Sequence, residues 1–112
     1  MSTATRNTIT VTTNTGDTQQ RTLITLDDGE TVAVRSDKTA DFIGIDADNT
    51  LLFVDPELSN STRGPFIYAL TDCCQASAKG CDGYTGCRAC YDEIDPSYGG
   101  MFTDADIVAR PI

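Results

Sequence analysis

Five cysteines lie within eighteen residues of this 112-residue chain, and no other feature constrains its folding as strongly. They are Cys73, Cys74, Cys81, Cys87 and Cys90. Because the segment is so short, its sulfur atoms must lie near one another once the chain has folded. Clustered thiols bind a metal ion, form disulfides or carry out redox chemistry, so the sequence indicates one of these three kinds of site.

The spacing favours a metal site. Cys87 and Cys90 form a C-x-x-C pair, in which two thiolates of one tight turn face the same ion. A second pair must come from the remaining cysteines: Cys73, Cys74 and Cys81. The chain has no histidine, so a zinc site must be built from cysteine thiolates, alone or with a carboxylate. The pattern therefore predicts a structural Zn²⁺ ion held by four of the five cysteines.

The residue pattern alone does not decide which cysteine is spare. Two adjacent cysteines bind one ion only with some backbone strain, which favours one of Cys73 and Cys74 together with Cys81. An iron–sulfur cluster is a variant of the metal hypothesis, since spacing alone does not separate it from zinc. All five cysteines therefore stay candidate ligands.

Residues 72–91 resemble a motif of small, mostly uncharacterised actinobacterial and actinophage proteins. The shared features are a Cys-Cys pair, a segment of small residues, and a Cys-Arg-x-Cys-Tyr ending, which together cover under a fifth of the chain. The resemblance implies that the metal is bound by Cys73, Cys74, Cys87 and Cys90. It also implies that Cys81 is dispensable and that the chain has a phage or actinobacterial origin.

Two alternatives to metal binding stay open. A thiol oxidoreductase would use Cys87 and Cys90 as a dithiol, with Arg88 lowering a thiolate pKa. That chemistry normally places the motif at a helix N-terminus in a βαβ setting, whereas a glycine-rich loop precedes it here. Disulfides would indicate an extracellular or virion-exposed protein, and five cysteines cannot all pair within one chain.

The charge and hydropathy of the chain exclude several functions. A net charge of −9, from 17 acidic and 8 basic residues, argues against general binding to nucleic acid. The missing histidine removes the usual general base near neutral pH. No apolar run reaches membrane-spanning length, and residues 1–7 lack the apolar core of a secretory signal. We therefore expect a cytoplasmic protein, in a host cytoplasm or a virion if it is phage-encoded.

The remaining sequence has the pattern of short β-strands. Alternating threonine and β-branched residues, or short apolar runs, predict strands at residues 8–12, 20–26, 31–35, 41–45, 50–54 and 66–70. An Asp-Gly pair at residues 28–29 predicts a hairpin turn. The apolar run at 51–54 predicts a central strand, and the composition of residues 55–65 predicts a loop. We expect a small β-meander or barrel of short antiparallel strands with a zinc-ribbon-like cysteine module.

The predicted organisation has three regions in one compact unit. Residues 1–58 form a β-rich region, residues 59–95 the zinc-ribbon-like module, and residues 96–112 a tail packed on the sheet. Residues 91–96 predict a helical turn ended by Pro96. The apolar residues expected to attach the tail are Tyr98, Met101, Phe102, Ile107 and Val108.

No set of catalytic residues can be assembled from the sequence, so we expect a non-enzymatic protein. The leading hypothesis is a zinc-stabilised protein-interaction or regulatory module with an unidentified protein partner and no membrane association. An alternative is a structural or accessory component of a larger assembly, such as a phage particle, in which the chain would form an oligomer. A thiol oxidoreductase using Cys87 and Cys90 is the third hypothesis.

Overall fold

The computed structural model describes residues 7–62 and 64–112. The expected lack of a secretory signal concerns residues 1–7, of which the first six lie outside the described residues. The strands of the first sheet are β1 (Thr8–Thr12), β2 (Thr18–Thr25) and β3 (Thr31–Arg35). The strands of the second sheet are β4 (Phe42–Ile45), β5 (Leu51–Asn60) and β6 (Gly64–Ala69). A separate two-stranded sheet consists of β7 (Ala78–Cys81) and β8 (Tyr84–Cys87). Three 3₁₀ turns lie at Ser36–Asp41, Pro96–Gly99 and Asp104–Asp106.

The mainly β fold predicted from the sequence is confirmed. Both three-stranded sheets are antiparallel meanders in which neighbours along the chain are neighbours in the sheet. Within the described residues the sheets do not close into a barrel. The predicted central strand is β5, whose Leu52 and Phe53 are fully buried on opposite faces because successive strand residues alternate in direction.

The two faces of β5 belong to two separate hydrophobic clusters. The larger cluster joins the two sheets and contains Ile24, Leu26, Val34, Phe42, Ile45, Phe53, Leu70 and Ala109. The smaller contains Leu52, Ile67 and Ala69, covered by Ile43, Tyr98, Phe102 and Ile107. We call residues 71–95 the cysteine segment, and none of its residues belongs to either cluster. Something other than apolar packing must therefore hold it.

The loop predicted at residues 55–65 is wrong in extent, because β5 continues to Asn60. Local side chains replace the regular ladder bonds where the register of the strand pair shifts. The Ser59 hydroxyl donates to the carbonyl of Asp55 at 2.7 Å and accepts the N–H of Phe66 at 2.9 Å. The composition of residues 55–65 indicated a loop, because composition does not show that the Ser59 hydroxyl replaces a backbone hydrogen-bond partner within the strand pair.

The predicted helical turn ending at Pro96 is also wrong. A 3₁₀ turn begins at Pro96 and runs to Gly99. The Asp95 carboxylate caps it by accepting the N–H of Ser97 at 2.9 Å. Proline suits the first position of a helix because its fixed φ is already helical and its missing N–H needs no partner there.

The tail reaches the core through Ala109, which is 2% exposed. Ile45 donates its N–H to the Ala109 carbonyl at 3.0 Å and accepts the N–H of Val108 at 2.9 Å. Two residues expected to pack, Met101 and Val108, are exposed instead, at 74% and 62%. The tail passes directly over Gly44, where the Ala109 backbone and the Ile107 side chain lie against the glycine.

Gly44 has a φ of 145°, which side chains rarely adopt. A methyl group there would overlap the carbonyl oxygen of Ala109 and the side chain of Ile107. We expect Gly44→Ala to lower the free energy of unfolding by about 2–4 kcal/mol, because backbone strain and overpacking act together. Urea denaturation followed by circular dichroism measures this change.

The matched control is Gly80→Ala, since no atom lies within 4 Å of a Cβ added there. It should change the unfolding free energy by about 0.5 kcal/mol or less. Equal effects of the two substitutions would show that the tail does not depend on close approach at Gly44.

Candidate metal centre

Four of the five cysteines meet at one place. The sulfur atoms of Cys73, Cys74, Cys87 and Cys90 all lie within 4.8 Å of one another. A tetrahedral zinc ion with Zn–S bonds of about 2.3 Å sets its sulfurs about 3.8 Å apart, so the group has the size for one ion. All five cysteines are free thiols. Four cysteines are therefore positioned to bind a metal ion, with no disulfide among them.

The sulfurs of Cys87 and Cys90 belong to a tight turn at residues 87–92, which we call the second turn. The N–H of Tyr91 donates to the Cys87 carbonyl at 2.7 Å, and the N–H of Cys87 donates to the Asp92 carbonyl at 2.9 Å. Tyr91 adopts a φ of 62°, which reverses the chain. The N–H of Ala89 points at the Cys87 sulfur at 3.4 Å. The turn thus directs both sulfurs and an N–H group at one point, as a metal-binding turn requires.

The first turn, residues 71–76, has the same backbone pattern. The N–H of Gln75 donates to the Thr71 carbonyl at 2.9 Å, and the N–H of Thr71 donates to the Ala76 carbonyl at 2.9 Å. Gln75 adopts a φ of 50°. Each residue of the first turn therefore corresponds to the residue sixteen positions later in the second turn.

This correspondence explains how adjacent cysteines serve one site. Cys74 matches Cys90, and Thr71 takes the place that Cys87 holds in the second turn. The hydroxyl oxygen of Thr71 lies 3.4 Å from the Cys87 sulfur, in a fully buried position. The sulfur missing at Thr71 is supplied by Cys73, which lies one residue before Cys74 in the same turn.

Cys81 lies outside the group of four, at the end of β7. The structure brings both adjacent cysteines into the group, whereas the residue pattern favoured one of them together with Cys81. The four cysteines that converge are those implied by the resemblance of residues 72–91.

Burial and crowding set the protonation of the thiols. Burial raises the pKa of Cys74 well above its usual range, and burial likewise raises that of Cys73. Burial also acts on Cys87, but hydrogen bonds from the Thr71 hydroxyl and from backbone N–H groups outweigh it and lower the pKa of Cys87 to about 7. Cys74 and Cys87 are buried and Cys73 and Cys90 are half-buried. A bound cation would stabilise the thiolate form of ligands in such a site.

Asn14 attaches the site to the turn between β1 and β2. Its amide donates to the Cys90 sulfur at 3.2 Å and to the Asp92 carboxylate, and its carbonyl accepts from the Cys74 thiol at 3.4 Å. Sequence reasoning missed this residue, because a turn asparagine 59 positions before the first cysteine has no distinguishing pattern.

Arg21 places a positive charge beside the first turn, near Cys73 and Cys74. It is 8% exposed, and no carboxylate forms an ion pair with it in the described part of the chain. Its guanidinium donates to the Gln19 side chain at 2.9 Å and to the Cys73 carbonyl at 3.4 Å. Burial lowers the pKa of Arg21, while nearby Cys74 and Cys73 act in the opposite direction. The arginine is therefore placed to offset the negative charge of a tetrathiolate site.

Gln75 joins the first turn to the edge of β3. Its side-chain oxygen accepts the N–H of Arg35 at 2.6 Å, and its side-chain nitrogen donates to the Ala33 carbonyl at 2.8 Å. The buried amide therefore pairs with the strand as another backbone segment would. This contact couples the geometry of the cysteine turn to the first sheet.

Comparison with known proteins gives no relative for this chain. No protein-family profile, curated protein or solved structure matches it. The class is therefore defined by the fold and the site: a mainly β protein with a four-cysteine group compatible with metal binding. Among the described residues, no helix has the length and apolar character needed to cross a membrane.

Loss of the buried charge should weaken metal binding. We expect Arg21→Met to lower metal affinity by about 10- to 100-fold, because it removes a cation next to the ligands while keeping an apolar stem. Competition with a chromophoric chelator measures the affinity. Arg110→Met is the control, since Arg110 pairs with Asp104 on the exposed surface. Equal affinities of the two variants would contradict a charge-offsetting role for Arg21.

The correspondence between the turns predicts a relocated ligand. Cys73→Ser alone should lose tight metal binding, and adding Thr71→Cys should restore it, because a sulfur at Thr71 would complete a second C-x-x-C pair with Cys74. Cobalt substitution reports the ligands, since four thiolates give an intense charge-transfer absorption. Thr71→Cys with Cys81→Ser controls for the added thiol. If the variant with both Cys73→Ser and Thr71→Cys stays metal-free, Thr71 and Cys87 do not occupy equivalent positions.

Proposed function

We propose that this protein is a zinc-stabilised, non-enzymatic interaction or regulatory module. The observation that carries the proposal is the contrast between the cysteine segment and the rest of the chain. The segment contributes to neither hydrophobic cluster, yet Cys74 and Cys87 are 1% and 0% exposed. A metal ion bound by the four sulfurs supplies the cohesion that apolar packing supplies elsewhere.

The donor set supports zinc as the metal. Thiolates are soft ligands, and a closed set of four is typical of structural zinc. The four sulfurs lie within 4.8 Å of one another, which favours a single ion. An iron–sulfur cluster would place several iron and sulfide atoms between the cysteines and push their sulfurs further apart.

The energy available from zinc suits this role. Structural zinc contributes about 10–16 kcal/mol of apparent binding free energy in small peptides, whereas whole domains have a net stability of about 5–15 kcal/mol. The two sheets share a core of their own, so their folding depends less on the metal. Metal loss should therefore unfold the cysteine segment first.

Burial of the thiols supports a binding role over redox catalysis. A thiol oxidoreductase needs a thiolate that its substrate can reach, and the Cys87 sulfur is enclosed. The lowered pKa of Cys87 is the observation that favours the oxidoreductase, since a thiolate is the reactive form. Metal binding accounts for the same observation, because a ligand sulfur must also be a thiolate.

Metal content and thiol reactivity test the proposal directly. Protein purified under reducing conditions should contain one zinc ion, four protected thiols and one reactive thiol, that of Cys81. Cys87→Ser should lose the zinc, whereas the matched control Cys81→Ser should keep it. Removing the metal with a high-affinity chelator should lower the thermal midpoint and increase amide exchange within residues 71–95.

Two results would overturn the proposal. One is an unchanged thermal midpoint after complete removal of the metal. The other is a metal-free protein that reduces insulin disulfides and loses this activity on Cys87→Ser, which would identify an oxidoreductase.

A further inference from the structure

A cleft of about 520 Å³ lies between the cysteine segment and the two sheets. One side of the cleft is formed by residues 75–77 and by Arg88 of the second turn. The other side is formed by β6 and by Lys38, which follows β3. Its lining includes Arg35, Lys38, Asp55, Phe66, Tyr68 and Arg88. The volume is within the range of small-ligand and side-chain pockets.

The cleft gathers positive charge in an acidic protein. Three basic residues line it, although the whole chain has only 8 basic residues against 17 acidic ones. Arg35 is already paired with Asp37 at 2.7 Å. Within residues 7–62 and 64–112, neither Lys38 nor Arg88 forms an ion pair. Two cations that face one cleft without a carboxylate partner are therefore available to an incoming anion.

The position of Arg88 depends on the metal-binding turn. Arg88 lies between the two ligands of the C-x-x-C pair, and its N–H donates to the Ser77 carbonyl at 2.9 Å. Gln75 holds the opposite turn against β3 and accepts a hydrogen bond from Arg35 at 3.2 Å through its carbonyl. The backbone of Arg88 and the guanidinium of Arg35 are thus held by the turns that carry the sulfurs.

Two aromatic side chains of β6 lie on the other wall of the cleft, which also carries Lys38 and Asp55. Phe66 and Tyr68 are half-buried on one face of β6 and line the cleft. Aromatic faces accept an apolar or aromatic side chain next to a charged one. The single acid in the lining, Asp55, disfavours a ligand of high negative charge and favours one carboxylate.

We propose that this cleft binds an aspartate or glutamate side chain of a partner protein segment, with an adjacent aromatic residue packed on Phe66 and Tyr68. This inference rests on the proposed interaction function and names the chemistry of its partner. Arg88 and Lys38 hold the carboxylate, for which a guanidinium offers paired donors. A nucleic acid does not fit, because its continuous phosphates would extend onto a surface with the net charge of −9.

The test uses the zinc-loaded full chain and three probes. The first is a capped Phe-Asp-Phe peptide, the second is the uncharged Phe-Asn-Phe peptide, and the third is inorganic phosphate. Titration followed by ¹H–¹⁵N correlation spectra reports which amides respond. We expect the aspartate peptide to shift amides near Arg88, Lys38 and Tyr68, with an affinity at least about tenfold above that of the asparagine peptide.

Charge-removing variants locate the site. Arg88→Gln and Lys38→Gln should each weaken peptide binding about tenfold while one zinc per chain is retained, and Arg110→Gln should leave binding unchanged. Zinc content keeps this test separate from the test of the proposed module. A variant that keeps one zinc per chain but binds the peptide more weakly reports on the cleft alone.

Three results would overturn the inference. The first is equal binding of the aspartate and asparagine peptides. The second is phosphate binding to the same amides without peptide binding. The third is peptide binding that neither Arg88→Gln nor Lys38→Gln weakens.

Discussion

The convergence of four thiols is the constraint on which the rest of this structure depends. The four sulfurs lie within 4.8 Å of one another, and burial raises the pKa of Cys74 and of Cys73. Thiolates this close together lose hydration and repel one another. A cation reverses both costs. The cysteine segment contributes to neither hydrophobic cluster, and in the structure it is held by the β7–β8 pairing and by hydrogen bonds within its turns and to the first sheet. Its conformation and its attachment to the first sheet therefore follow from these contacts.

The site belongs to the whole fold and not to the cysteine segment alone. Asn14 contacts two of the sulfurs from the first sheet, and Arg21 brings a buried positive charge from β2. Gln75 pairs its side chain with the edge of β3. The cysteine group is thus hydrogen-bonded to the first sheet, and the proposed cleft lies at their junction, lined by Arg88 of the second turn and Arg35 of β3.

The strands were predictable where local periodicity decides their conformation. Threonine alternation predicts β1, because successive side chains of a strand point to opposite faces. The uninterrupted apolar run at 51–54 predicts the buried centre of β5, because a strand covered on both faces has no polar side. The end of β5 was not predictable, since Ser59 bonds to a residue on the neighbouring strand. Pro96 was read as a stop, although the same fixed φ lets it begin a turn once Asp95 caps the N-terminal side.

The sequence by itself determined the region of the site, because its five cysteines lie within one short segment, and the missing histidine restricted the ligands of a zinc ion to thiolates, alone or with a carboxylate. It also determined the β-rich class through local alternation. The resemblance of residues 72–91 implied that Cys81 is spare, and the tertiary structure leaves it out of the group of four. Only the tertiary structure decided that Thr71 takes the place of a cysteine and that Arg21 lies against the first turn. The physical reason is distance along the chain. Contacts between residues that lie tens of positions apart depend on how the turns and sheets pack, and local sequence patterns do not record that packing.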